Sequence, residues 1–395
     1  MYEGRSRYVT TLFRPIHFAV GVVVDSGGMA RIPILTTAAK ATGRYYDVVC
    51  RHGARADAVR TVDALPEDQP ERTTMYMLST RLAPSARPAI ALVDNNTSHA
   101  VPHLLRALGD VEGATPADVR WIIVTHAHLD HCAGTGTLLK ECHNATVICH
   151  PRARKHLVDP TALLRSARGV YKDAFEAQVG NMEPCPADRV RAVADEEEID
   201  LLDQSGGGRP LRCLFVEGHA RHHIAVHDPS TASVFTGDCF GVVYNDMCDR
   251  HGLRAGTMLP ATSPIDFDFK EAMAAVDRIE ALPGIKHAWP THFGPVGDIP
   301  AAAAQMRELL PRFESVRRTL SVRMQEGASP DEAQAMGQGM VDALMRSHFD
   351  SRGLRDMPDS AWQQRMGPEL NINTQGLVVG ARRFPVRPEE PGSKL

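Results

Sequence analysis

Apolar residues along this chain come in two rhythms. Short β-branched runs bounded by Gly, Pro or Asn predict strands at 73–80, 89–93, 122–124, 145–150, 211–216, 233–236 and 285–290. Apolar positions three and four apart predict helices at 101–108, 137–142, 269–282, 301–326 and 330–349, with another after Pro151. Thr115-Pro116-Ala117-Asp118 reads as a further helix start, and Ser329 as an N-cap. Residues 370–384 suit a last helix or strand. From Met306 to Met324 an apolar stripe at helical spacing serves a core or a subunit contact, the latter allowing a homodimer.

Elsewhere the rhythm is weaker. The basic first 20 residues and the apolar run 18–24 have some character of a transit segment, but the run ends in a Ser-Gly-Gly turn, which favours an N-terminal strand. Residues 31–72 show little periodicity and read as an insertion without an assigned role. Residues 166–181 are a candidate lid, with Arg168, Tyr171 and Lys172 as substrate contacts. Asp195 to Glu198 is a solvated acidic run, and 204–209 a flexible turn lacking the phosphate-loop pattern. The divisions expected are 1–72 as N-terminal segment, 73–300 as catalytic domain, 301–384 as helical extension and 385–395 as a mobile tail.

Composition narrows the function. At 395 residues and 43% hydrophobic the chain can bury a full core. Its net charge of −4 gives no basic surplus for nucleic acid, and the apolar run 18–24 is far too short to span a bilayer. Eight cysteines without a C-x-x-C pair read as reduced, mostly buried thiols of an intracellular protein. Cys132 and Cys239 each follow a candidate ligand, and packing is the expected role of both.

The chemistry concentrates in Thr125-His126-Ala127-His128-Leu129-Asp130-His131. Multiplying residue frequencies gives roughly 0.005 accidental copies of H-x-H-x-D-H in such a chain. In a turning loop alternate side chains share a face, so His126 and His128 can bind one metal while Asp130 and His131 turn toward a second. Three later strand ends carry Gly218-His219, Gly237-Asp238 and Thr291-His292, and an earlier one carries Asp94.

These motifs resemble the metallo-β-lactamase-fold hydrolase superfamily, with a glyoxalase II-like ligand set over roughly residues 73–300. The resemblance implies an α/β fold, a four-layer α/β/β/α sandwich, here with a C-terminal helical extension. It implies one metal on His126, His128, His219 and Asp238, and a second on Asp130, His131, Asp238 and His292. Zinc suits these donors, and iron or manganese is allowed. Asp238 would bridge, a hydroxide between the cations would attack a carbonyl, and Asp130 would orient the nucleophile or pass a proton.

Two departures stand out. Asp94-Asn95-Asn96 replaces the usual Asp-Thr-Gly, leaving the turn geometry open, and Gly218-His219-Ala220-Arg221-His222-His223 is the Gly-His-Ala-x-His-His form of one branch of the superfamily. His222, His223, His150 and Asp94 are therefore candidates to brace ligands or touch substrate, with His99 near the rim and His287 structural. Thioester or ester hydrolysis of a small molecule is the leading expectation. The alternatives are a mononuclear iron persulfide dioxygenase and a non-catalytic metal-binding protein. The terminal Ser393-Lys394-Leu395 matches a peroxisomal address, predicting an import receptor as partner and a peroxisome or glycosome as location, with cytoplasm or mitochondrion as alternatives.

Overall fold

The computed structural model describes residues 21–24, 47–52, 55–64, 72–111, 113–171, 173, 175–202, 208–244, 256–353 and 358–386. The basic N-terminal segment, Lys172, most of the 204–209 turn and Ser393-Lys394-Leu395 lie outside them, as does the side chain of Tyr171.

Thirteen strands form two sheets among the described residues. The first has eight in chain order: β1 (Gly21–Val24), β2 (Asp47–His52), β3 (Arg55–Asp63), β4 (Thr74–Arg81), β5 (Ala89–Val93), β6 (Val119–Ile123), β7 (Thr146–Cys149) and β8 (Val190–Ala192). β2 to β5 are antiparallel neighbours, whereas β5 to β8 run parallel. The second sheet orders β13 (His287–Pro290), β12 (Ser233–Gly237), β11 (Ile224–Asp228), β10 (Pro210–Phe215) and β9 (Glu198–Asp200).

Alternation along the strands builds the layers. Tyr76, Leu78, Ala91, Val93, Ile123 and Ile148 of the first sheet meet Cys213, Ile224, Val226, Phe235 and Trp289 of the second in one buried cluster. Their neighbours Met75, Met77, Ile90, Leu92, Ile122 and Val147 point the other way. There they meet α1 (Val101–Gly109), α3 (Thr135–Glu141) and α4 (Pro151–Val158). Leu214, Ala225, Val234 and Ala288 likewise face α7 (Phe269–Glu280) and α8 (Ile299–Gln325). A period of two thus gives each sheet two buried faces, and the result is an α/β/β/α sandwich. Burying one aliphatic side chain here contributes about 1.5–3 kcal/mol, so the alternation fixes strand register.

The helical extension is α8, α9 (Pro330–Ser351) and α10 (Asp359–Arg383), packed around Leu309, Phe313, Leu320, Met345, Phe349, Trp362 and Leu377. Ser329 caps α9 in a reciprocal box with Glu332. The 370–384 stretch is helical and starts earlier, at Asp359. No helix among the described residues is long and apolar enough to cross a membrane.

Several expectations need correction. Thr115 to Asp118 forms a single 3₁₀ turn, with Thr115 and Asp118 closing a capping box, and the chain then enters β6 because Val119, Ile122 and Ile123 are taken into the sheet. The stretch without a role contains β2 and β3, which pair with each other, and β3 also pairs with β4. The candidate lid is helical in α5 (Thr161–Tyr171) and α6 (Phe175–Gln178), and Arg168 is engaged by Glu176 at 2.6 Å. Arg209 is fully buried, its guanidinium on Asp228, the Ala58 and Ser79 carbonyls and Thr80. The acidic run, by contrast, lies at the surface as expected, with Asp195 and Glu196 on Arg278.

Candidate metal centre

The candidate ligands collect at one edge of the sandwich because each follows the C-terminal end of a strand. His126 and His128 follow β6 directly, and Asp130 and His131 sit on the short helix α2 (Leu129–Cys132). His219 follows β10, Asp238 follows β12 and His292 follows β13. Two glycines make these turns possible. Gly218 has φ +133°, and a Cβ there would lie 2.4 Å from the Ala272 amide nitrogen of α7. Gly237 has φ +50°, with the space for a Cβ already taken by His223 and Thr125.

Three imidazole nitrogens converge. His128 Nδ1 lies 2.9 Å from His126 Nε2 and 3.0 Å from His219 Nε2. The outer nitrogens fix which atoms are lone pairs. His219 Nδ1 must donate to the Ala261 carbonyl at 2.8 Å, because a carbonyl only accepts. The Thr125 hydroxyl donates to Asp94 Oδ2, so it accepts from His126 Nδ1 at 3.1 Å. Both Nε2 atoms therefore present lone pairs to His128 Nδ1, and a single proton there satisfies only one. A cation satisfies all three. Burial, reinforced by neighbouring imidazoles, holds His126 and His128 well below the usual histidine pKa, so the trio is neutral and ready to ligate.

The second group is Asp130, His131 and His292. His292 Nε2 is 3.3 Å from Asp130 Oδ2, and His131 Nε2 is 3.7 Å from the same oxygen. Burial opposes charge on both imidazoles, but Asp238 and Asp130 outweigh it: His131 is raised well above its usual value and His292 to about 9. Asp130 stays well below the carboxylate range because His131 and His292 overcome the cost of its burial.

Asp238 joins the two groups. Its Oδ2 lies 3.5 Å from His131 Nε2, 3.6 Å from His219 Nε2 and 3.7 Å from His292 Nε2. Neither its Oδ1 nor His131 Nε2 makes a hydrogen bond, although both are buried. Orphaned buried polar atoms of opposite preference around a carboxylate fit cation binding, and hard or borderline metals match the donor set.

Asp94 is the brace. Its carboxylate takes the Thr125 amide and hydroxyl, His131 Nδ1 and the Thr291 hydroxyl, at 2.8 to 2.9 Å. The Asp-Asn-Asn departure is resolved here. Asp94 and Asn96 both have φ 55°, a region Asn tolerates better than most residues, and Asn96 Nδ2 donates to the Asp130 carbonyl.

The other candidates separate. His222 Nδ1 accepts the Ala127 amide, and His223 Nε2 accepts the Asp238 amide, each at 3.2 Å, so this pair touches backbone on both ligand loops. Burial pushes His222 down to about 3. His150 instead caps α4 by accepting the Arg152 amide, and burial lowers it to about 4. It stands outside the metal groups, as do His99, exposed beside the Glu176 carbonyl, and His287. Cys132 and Cys239 are buried packing residues. Reading the sequence missed Thr125 and Thr291 as anchors of Asp94, though each announced itself as the Thr of a Thr-His pair. It also missed the carbonyls of Ala261 and Arg72, which take the Nδ1 atoms of His219 and His292 and carry no side-chain signal.

A sequence model described as the metallo-beta-lactamase superfamily matches residues 100–286. ST1585 of Sulfurisphaera tokodaii, described as a metallo-beta-lactamase fold-containing protein, is 27% identical over 231 residues, 58% of this chain and 76% of its own length. The crystal structure of ST1585 from Sulfolobus tokodaii superposes with TM-score 0.52 at 22% identity, covering 81% of this chain and 97% of that one. The chain has the metallo-beta-lactamase fold. The metallo-beta-lactamase family protein TTHA1429 of Thermus thermophilus shares that fold, with TM-score 0.51 at 17% identity over 82% of this chain and 92% of its own. On this fold the strand-end loops bring together the His and Asp groups that could hold metal ions.

Proposed function

We propose that this chain is a metal-dependent hydrolase working with two cations, and that its substrates are thioesters or esters of small molecules. The observation that carries the reading is Asp238 Oδ2, 3.5 to 3.7 Å from imidazoles of both groups, with its partner oxygen buried and unbonded. His126, His128 and His219 would hold one cation, Asp130, His131 and His292 the other, and Asp238 both. Such a pair supplies a water acidified to near neutrality and positive charge for an oxyanion.

The chain's own groups do the rest. Asp94 fixes the His131 ring through Nδ1, leaving Nε2 to face the centre. Asp130 is ionised and, with its side chain 39% exposed, is the most open carboxylate of the set. In this reading it would orient an attacking water or pass a proton to the departing thiolate or alkoxide. The thioester preference is supported by the glyoxalase-like place of Asp238 in the ligand order.

Elemental analysis tests this. About two zinc ions, or zinc mixed with iron, per chain, falling in both His292→Ala and Asp238→Ala, followed by turnover in a thioester and ester panel, is the expected outcome. One iron untouched by His292→Ala, with oxygen uptake on persulfides, would replace it with dioxygenase chemistry. A chain that retains no metal after gentle purification would overturn the hydrolase reading in favour of a non-catalytic binding or scaffold protein on the same fold.

A further inference from the structure

We infer that α10, the last helix of the C-terminal extension, is a positioning element of the metal centre: one face of it holds in place both backbone carbonyls that orient His219 and His292. The inference rests on reading the site as a cation centre and adds which distant residues set its geometry.

On the first side, His219 is clasped at two points by residues 261–263. Its Nδ1 donates to the Ala261 carbonyl, and its own carbonyl accepts from Ser263 Oγ, both at 2.8 Å. That segment has no helix or strand to hold it. It is fixed by α10 instead: Asn373 Oδ1 accepts from the Thr262 amide at 2.7 Å, and the single Thr262 hydroxyl proton is shared between Asn373 Oδ1 at 2.7 Å and the Asn373 carbonyl at 2.8 Å. Asn373 is steadied in turn by donating to the Glu369 carbonyl. One turn on, α10 runs so close that a Cβ on Gly376 would lie 2.6 Å from the Thr262 carbonyl oxygen. Thr262, Ser263 and Asn373 are buried, so water cannot replace these bonds without repacking.

On the second side, His292 Nδ1 donates to the Arg72 carbonyl at 3.3 Å. Arg72 is held by α10, its Nη1 donating to the Arg365 carbonyl at 2.9 Å. Glu369 accepts from Tyr244, whose neighbour Val243 donates its amide to the His292 carbonyl. Residues 365, 369, 373 and 376 are four, four and three apart, which places them within one stripe of a helix. The carbonyl that fixes a ligating histidine's free ring nitrogen sets its orientation and basicity, and losing such support typically costs 10–100-fold in metal affinity.

The test uses the full chain loaded with cobalt(II), with affinity read by chelator competition and geometry by the visible absorption of bound cobalt. Asn373→Ala and Gly376→Ala should each weaken at least one cobalt by about 10–100-fold and shift its spectrum. Thr374→Ala is the matched control. Thr374 is buried next door on α10 but bonds within its own helix and faces Gly337 of α9. It should keep both affinity and spectrum. If Asn373→Ala does not fold, Thr262→Val removes only the hydroxyl and should still weaken cobalt several-fold. Wild-type affinity and spectrum in Gly376→Ala and Thr262→Val, or an equal loss in Thr374→Ala, would overturn the positioning role while leaving the centre intact. A wild-type chain that takes up no cobalt would overturn the cation reading and this inference together.

Discussion

The space between the two sheets has a polar cluster at each end, and the two balance their charge differently. At the end away from the candidate ligands, Arg209 and Asp228 are both fully buried and paired at 2.5 Å, with Thr80, Ser230 and Thr231 taking up further bonds. Asp57 there is held by Thr80 and Arg55. The polypeptide supplies its own cation. At the other end Asp94 is bonded by Thr125, Thr291 and His131, the charge partners of Asp130 and Asp238 are imidazoles, and atoms of Asp238 and His131 stay unbonded. A buried cluster whose charges are internally paired is structural, whereas one that leaves lone pairs converging is built for a cation from outside.

The largest effect expected from breaking this contrast is at Asp238. Asp238→Ala should empty both cation positions and lower hydrolysis by about 10³-fold or more, read by elemental analysis and turnover together. Arg209→Met, at the opposite end, should leave the metal count unchanged but strand Asp228, costing about 3–5 kcal/mol in urea unfolding. An unchanged midpoint would mean that this pair is not the internal counterpart proposed. Removing metal by chelation should lower stability at the ligand end alone, by about 3–4 kcal/mol when the free metal had been held at a few hundred to a thousand times its dissociation constant. A melting temperature indifferent to chelator would show that the converging imidazoles do not need a cation.

The smallest effect concerns a polar group belonging to neither end. His348 of α9 donates from Nε2 to Gln305 in the helical layer, and burial, with Arg352 nearby, lowers its pKa to about 4. The neutral form is favoured on folding, so its contribution is full above the unfolded value near 6.5 and is lost as pH falls toward 4. Allowing for solvent screening, stability should fall by about 1 kcal/mol between pH 7 and pH 5, and His348→Gln should remove that part of the pH dependence. A variant with the same slope as wild type would assign the acid sensitivity elsewhere.

Most strands and helices were legible because burial on two faces leaves a periodic trace, as in 89–93 or 269–282. The misread Thr115-Pro116-Ala117-Asp118 shows the limit, since capping chemistry is identical for a long helix and for a single turn, and only the sheet beyond it decides. β3 was obscured by Asp57 and Arg60, polar residues tolerated because tertiary partners bond them, Thr80 of the neighbouring strand for Asp57 and the Ala107 carbonyl of α1 for Arg60. Arg209 was read as part of a turn for the same reason: its partners lie up to 151 residues away.

The sequence by itself determined the types of candidate ligand and their order, because a metal site needs particular donor atoms and these sit in short motifs at strand ends. Tertiary structure alone decided which nitrogen of each imidazole faces the centre, that one carboxylate stands between two groups, and that a helix beginning at Asp359 supports His219 and His292. Those choices are made by backbone carbonyls and amides, which every residue carries alike, so no side-chain pattern along the chain could announce them.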